Sequence, residues 1–227
     1  MEQYDQIVAI IALSMGAAWA SGINLYAAIL VLGLLGHTGN LALPPDLLIL
    51  TNPLVLLAAG VMFLIEFVAD KIPGVDTAWD TLHTFIRIPA GAAMAVGAVG
   101  DVDPSVSLAV AIVGGGLTAG VHATKAGTRV LINTSPEPVT NWFASISEDL
   151  LVVTGLWTAF HYPWLFVLFL VIFILLMIWL LPKIWSGIKQ GSVFLLKFFR
   201  RKAKKEHQPQ LDLPDSLSDL SDNHLES

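Results

Sequence analysis

An all-α transmembrane fold is predicted: about six spans forming a three-plus-three inverted repeat, with interrupted first helices in each half and a C-terminal amphipathic interfacial helix. Three observations carry this. Hydrophobic residues fill 55% of the 227 positions and charged residues only 13%, about half the roughly 25% charged residues of a soluble domain. Long apolar runs alternate with short segments rich in Pro, Gly and Asp, the punctuation of spans and turns. Finally, Ser21-Gly22-Ile23-Asn24 lines up with Ala119-Gly120-Val121-His122, each preceded by a run of small residues. There is no cysteine, which excludes disulfides and thiolate metal sites.

The first apolar run, Ile7 to Leu35, holds no formal charge. As one helix it would be about 43 Å long against a hydrocarbon core of about 30 Å. It must tilt or break, and a break is expected at Ser21 to Asn24, where Gly frees the backbone and Asn adds a polar group. The alternative is a long tilted helix packed through Gly16, Ala17, Ala20 and Ala27. No Lys or Arg precedes Lys71, so the basic opening of a secretory signal peptide is missing and this run is expected to stay as a span.

Residues 37–51 read as a loop with a short interfacial stretch. Asn52-Pro53 starts span two, with Pro near the first turn, where its missing N–H costs nothing. That span ends near Glu66 and Asp70, four apart on one helical face. Lys71 to His83 reads as a loop plus a short interfacial helix. Span three, Ile88 to Val99, is weakly apolar and needs close packing, or residues 83–88 as an extension.

Span four, Val106 to Ile132, follows the acidic turn at Gly100 to Pro104 and carries His122, Lys125 and Arg129. Span five, Val139 to Phe160, holds Glu148 and Asp149 in its middle, a costly position for carboxylates. Span six, Leu165 to Leu181, is almost purely apolar and is expected to face lipid. Residues 183–205 mix bulky apolar side chains with eight basic ones and no acid, the pattern of a helix on an anionic inner leaflet. The tail, 206–227, carries six acids and no Lys or Arg and has the composition of a disordered segment. The domains are thus 1–182 (repeat A about 7–100, repeat B about 104–182), 183–205 and 206–227.

Basic residues fall at Lys71, Arg87, Lys125 and Arg129 and after span six, which six spans with cytoplasmic termini satisfy. Asn52-Pro53 and Glu66 are spaced like Ser135-Pro136 and Asp149, so the second spans of the two halves also align. Three spans per half make the repeat inverted, an arrangement that many secondary transporters use around a midplane site.

The candidate transport residues are Asn24, Glu66, Asp70, His122, Lys125, Arg129, Glu148 and Asp149. Lys125 and Arg129 are expected to bind an anionic group, while the carboxylates or His122 exchange protons or hold a cation. The alternative is that the two cations snorkel to headgroups and the carboxylates only neutralise them. The reading is a small permease or exporter of a small polar or ionic solute, with proton coupling in view. A cation channel or a non-catalytic, lipid-interacting scaffold is the alternative. No enzyme is expected: the HExxH helix, the G-x-S-x-G elbow and a Cys nucleophile are all missing. No cofactor, metal or nucleic acid is expected; anionic lipid is, through 183–205, and a homo-oligomer is left open.

The run Trp19 to Tyr26, with Glu66 to Pro73 and Ala119 to Lys125, resembles the bacterial membrane family DUF4126 over about residues 7–182. The resemblance implies a multi-span inner-membrane protein and no particular activity. The three-plus-three plan with acidic motifs is more distantly similar to LysE-type exporters and to the cation exchangers of the UPF0016 family. Here Glu66 and Asp70 are four apart and lack the Gly of that family's motif.

Overall fold

A computed structural model describes residues 2–72, 74–133 and 138–206, with side chains as far as 189 apart from Pro138. The expected acidic tail therefore lies outside the described residues, except for Glu206, as does Ser135-Pro136 of the second-half alignment. Among the described residues six α-helices follow one another: α1 (Glu2–His37), α2 (Pro53–Ala69), α3 (Val75–Val99), α4 (Pro104–Ile132), α5 (Pro138–His161) and α6 (Pro163–Glu206), with a 3₁₀ helix at Pro45–Thr51 between α1 and α2. Met1–Ile188 forms one compact unit and Lys189–Ser227 a second, helical as far as it is described.

The first unit is an all-α transmembrane fold. Five helices (α1, α3, α4, α5 and α6) are long and apolar enough to cross a membrane. A sixth crossing results if the 3₁₀ helix and α2, bent by 66°, count together, because α2 alone has 17 residues, or about 25 Å. Asn52 accepts from Leu54 N–H at 2.9 Å and Pro53 opens α2, as the sequence predicts. At the start of α4, Asp103 accepts from the Ser105 hydroxyl and N–H. Those bonds, the hydroxyl's first, hold its carboxyl below the usual range. The cap's contribution is therefore complete above the unfolded value of about 3.9 and is lost as pH falls through the lower folded value.

The core is built around α1, which packs against α2, α3, α4 and α5. Residues 16–28 are buried without interruption, and most are Gly, Ala or Ser. Small residues let backbones approach, which in lipid replaces the hydrophobic drive to association. A Cβ on Gly22 would lie 2.7 Å from Val121 Cβ and 2.8 Å from the Thr118 carbonyl, so α1 and α4 cross there. Trp19 packs edge-on against Phe166, Phe169 and Phe173 of α6. A Cβ on Gly155 would strike that indole at 2.4 Å. As far as Lys189 the rest of α6 is largely exposed and apolar, the lipid-facing wall expected of span six.

Two expectations need correction. The break in α1 is present: Asn24 has extended backbone (φ −147, ψ 103) inside an otherwise helical run. The matching break in α4 is not, because Pro104–Ile132 runs as one helix. Its glycines serve packing instead: Gly114 and Gly115 meet Ala95 and Ala92 of α3, and Gly120 meets Met177 of α6. Nor is there a separate short interfacial helix before span three: after the turn at Lys71 and Ile72, α3 starts at Val75 and runs on through Pro89 to Val99; packing by α1 and α4 sustains a helix that has lost one hydrogen bond.

Gly22→Ala should lower stability by about 1–3 kcal/mol through overpacking. Gly60→Ala, where a Cβ meets nothing within 4 Å, should be neutral or stabilising by up to about 1 kcal/mol. Thermal melting of both variants in one detergent tests the pair.

Candidate functional site

The break at Asn24 decides where the polar chemistry sits. In a continuous helix the Ala27 N–H would bond to the Ile23 carbonyl. Here Ala27 N–H donates to Asn24 Oδ1 at 3.0 Å, and the Ile23 carbonyl is released. A released carbonyl in a dry interior needs new donors. Two arrive from other helices: Lys125 Nζ at 3.0 Å from α4 and Arg87 Nη1 at 3.1 Å from α3. Asn24 Nδ2 in turn donates to Asp149 Oδ1 of α5 at 2.9 Å.

Around that carbonyl is a buried charge network. Lys125 Nζ lies 3.2 Å from Asp70 Oδ2, 3.3 Å from Glu66 Oε1, 3.4 Å from Glu148 Oε2 and 3.8 Å from Asp80 Oδ1. Arg87 pairs with Glu66 through Nη2 and lies 3.3 Å from Asp80. Arg129 grips Glu148 with two nitrogens, at 3.1 and 2.7 Å, and donates to the carbonyls of Asp70 and Asn141. Glu66, Arg87 and Arg129 are all 0% exposed. Such pairs survive in an apolar bundle because each charge is met by opposite charge from another helix.

His122 is held in one tautomer by its partners. Arg87 can only donate, so Nδ1, 3.3 Å from it, is the acceptor. Thr84 Oγ1 spends its proton on the Asp80 carbonyl, so it accepts from His122 Nε2–H at 2.8 Å. Lys71 is separate from these pairs: it donates to the Phe67 carbonyl and to Ser145, and sits 2.8 Å from the Phe67 ring centre.

Six of the eight sequence candidates belong to this network or touch it directly, while Asn24 and Asp149 bond to each other beside it. The correspondence expected from the repeat, Asn24 with His122 and Glu66 with Asp149, is not a set of contacts: the bond that forms joins Asn24 to Asp149. Lys125 and Arg129 are not open to an anion, since internal carboxylates surround both. The sequence reading missed Asp80, Arg87 and the Ile23 carbonyl. Asp76, Asp80, His83 and Arg87 do share one helical face by spacing, but Pro73-Gly74 and Pro89 had divided that face between a loop and a short span.

Hydrogen bonding is incomplete. Glu66 Oε2, Asp70 Oδ1, both Asp80 oxygens, Arg87 Nε and Asp149 Oδ2 have no hydrogen-bond partner, an unusual number for buried polar atoms. No group of described residues is arranged to hold a metal ion. A cavity of about 590 Å³ lies elsewhere, lined by Ile10, Met15, Val106, Val110 and other apolar residues.

Fold and site together define a multi-pass membrane protein with an ionic network closed inside its helices. The chain belongs to the DUF4126 family, described as a domain of unknown function, whose model matches residues 11–183. No curated protein and no solved structure matches it.

Arg87→Met should lower stability by about 3–5 kcal/mol, because Glu66 then loses a buried partner. Adding Glu66→Gln should return part of the loss. Thermal melting of the single and double variants measures the difference.

Proposed function

We propose that the protein is a small permease or exporter, not an enzyme, which moves a small polar or ionic solute through the site around Lys125 with coupling to protons. The charge balance of the network carries this reading. Five carboxylates, those of Glu66, Asp70, Asp80, Glu148 and Asp149, stand against the three paired cations Arg87, Lys125 and Arg129 and against Lys71 at the edge, on whose charge Asp149 and Asp70 act. One negative charge is in excess when all are ionised. An unbalanced charge is expensive in a dry interior. Uptake of one proton or one monocation neutralises the network, and uptake of that kind is the elementary step of a coupled carrier. The unpartnered carboxylate oxygens are the acceptors it needs.

The broken α1 supports the same reading, because discontinuous helices at a midplane site are a device of secondary transporters. In this scheme Asp149 takes the proton and Asn24 reports its charge to the hinge. His122 positions Arg87. The protein would act in the bacterial inner membrane with both termini cytoplasmic. That orientation rests on the basic block at 183–205, which would lie on anionic lipid. Arg87, Lys125 and Arg129 are buried and no longer count as loop charges. The closed grip on Arg129 favours the rival reading, a structural network in a membrane scaffold.

Proteoliposomes challenged with labelled inorganic monocations, primary amines and amino acids under an imposed pH gradient separate the two. Gradient-driven uptake of at least one solute is expected, falling to the background of empty liposomes in Asp149→Asn at unchanged melting temperature. No uptake of any of them, or equal uptake by Asp149→Asn, would overturn the permease in favour of the scaffold.

A further inference from the structure

The surroundings of Lys125 are larger than a lysine requires. Five oxygens converge on Nζ between 3.0 and 3.8 Å, whereas an ammonium has three protons to give. These oxygens come from Ile23 on α1, Glu66 on α2, Asp70 at its end, Asp80 on α3 and Glu148 on α5. None comes from α4, the helix that carries Lys125. The helix supplying the cation and the helices supplying the cage are therefore different, and removing one side chain would empty the cage without removing any of its walls.

We propose that this cage is a binding site for one monocationic group of ammonium size, with Lys125 as its tethered occupant and a free cation as the exchanging one. The proposal deepens the permease reading by naming the solute class, and its test needs no flux measurement.

Three further features fit. First, in Lys125→Met a free monocation would restore the single positive charge that the lysine ammonium supplies, so the refilled cage has the charge balance of the wild type. Second, the cage has acceptor capacity to spare: neither oxygen of Asp80, which is 1% exposed, makes a hydrogen bond, and Glu66 Oε2 and Asp70 Oδ1 make none. Third, the size is right for an ammonium. Four of the five contacts, at 3.0–3.4 Å, lie at or just beyond the usual N–H···O range, while Ca²⁺ and Mg²⁺ draw oxygens to about 2.3–2.6 and 2.0–2.1 Å. Lysine suits the tether, being a compact charge on a flexible four-carbon stem.

Lys125→Met tests this. The variant is purified in choline chloride, whose cation is too large for the cage, and melted in choline, sodium, potassium, ammonium or methylammonium chloride at equal ionic strength. Wild type should melt at one temperature in all five. Lys125→Met should melt lower in choline and rise by about 5–10 °C with a hundredfold excess of ammonium or methylammonium over its Kd. Lys125→Met combined with Asp80→Asn, which removes one of the four carboxylate charges that face the cage, should lose most of that rise. A response to ammonium alone assigns the site to an inorganic ion; an equal or larger response to methylammonium assigns it to a primary amine. The same melting temperature in choline and ammonium, or no folded Lys125→Met in either, would overturn the cage and leave the network structural. A cation response without liposome uptake would keep the site and remove the permease. Uptake without a cation response would do the reverse.

Discussion

A backbone carbonyl with no helical partner, deep in an apolar bundle, has to find a donor or lose several kcal/mol. In this protein that carbonyl belongs to Ile23, and its need is met by Lys125 and Arg87. Bringing two cations to one oxygen raises a second demand, for negative charge. Glu66, Asp70, Asp80 and Glu148 meet it from α2, α3 and α5. The polar centre thus follows from a single residue in extended conformation, with the Asn24 side chain taking over the hydrogen bond that its own backbone gave up.

Close packing makes this centre attainable. Lys125 reaches Ile23 only because α1 and α4 cross at Gly22, where even a methyl group would collide with Val121. Gly91 gives the same clearance between α3 and α4, since a Cβ there would strike Thr118. Thr118 meanwhile donates to the Ala18 carbonyl, which ties α4 to α1 between one and two turns before the break. One turn before Ile23, Trp19 packs against α6, so one helix both holds the lipid-facing wall and borders the ionic centre.

A second polar cluster secures the helix ends. Asn133, which caps α4, donates to Asp76 at 2.8 and 2.9 Å, and Asn141 donates to Asn133 at 2.8 Å. Asp76 in turn receives the N–H groups of Gly74 and Thr77 at the start of α3. Arg129 links this clamp to the ionic centre through the Asn141 carbonyl. A movement of α1 about Asn24 would therefore act on a framework in which α3, α4 and α5 are tied to each other at one end.

How much was legible without coordinates depended on the range of the interaction. Hydrophobic runs, the span start at Asn52-Pro53, the acidic turn at Gly100 to Pro104 and the weak point at Asn24 are local, and the sequence alone determined them. The cost of a charge in a span is also local, so Glu66, Asp70, Lys125, Arg129, Glu148 and Asp149 stood out one by one. The apparent likeness of Asn24 and His122 was local too, and it misled about α4, because small residues serve close packing as readily as they serve a break. What only the tertiary structure decided is which charges meet. Asp80 and Arg87 look like loop and boundary residues until α1 and α4 hold α3 as one helix through Pro89. The partner of each carboxylate is fixed by which helices are neighbours and how they are rotated, a property of packing between segments far apart in the chain.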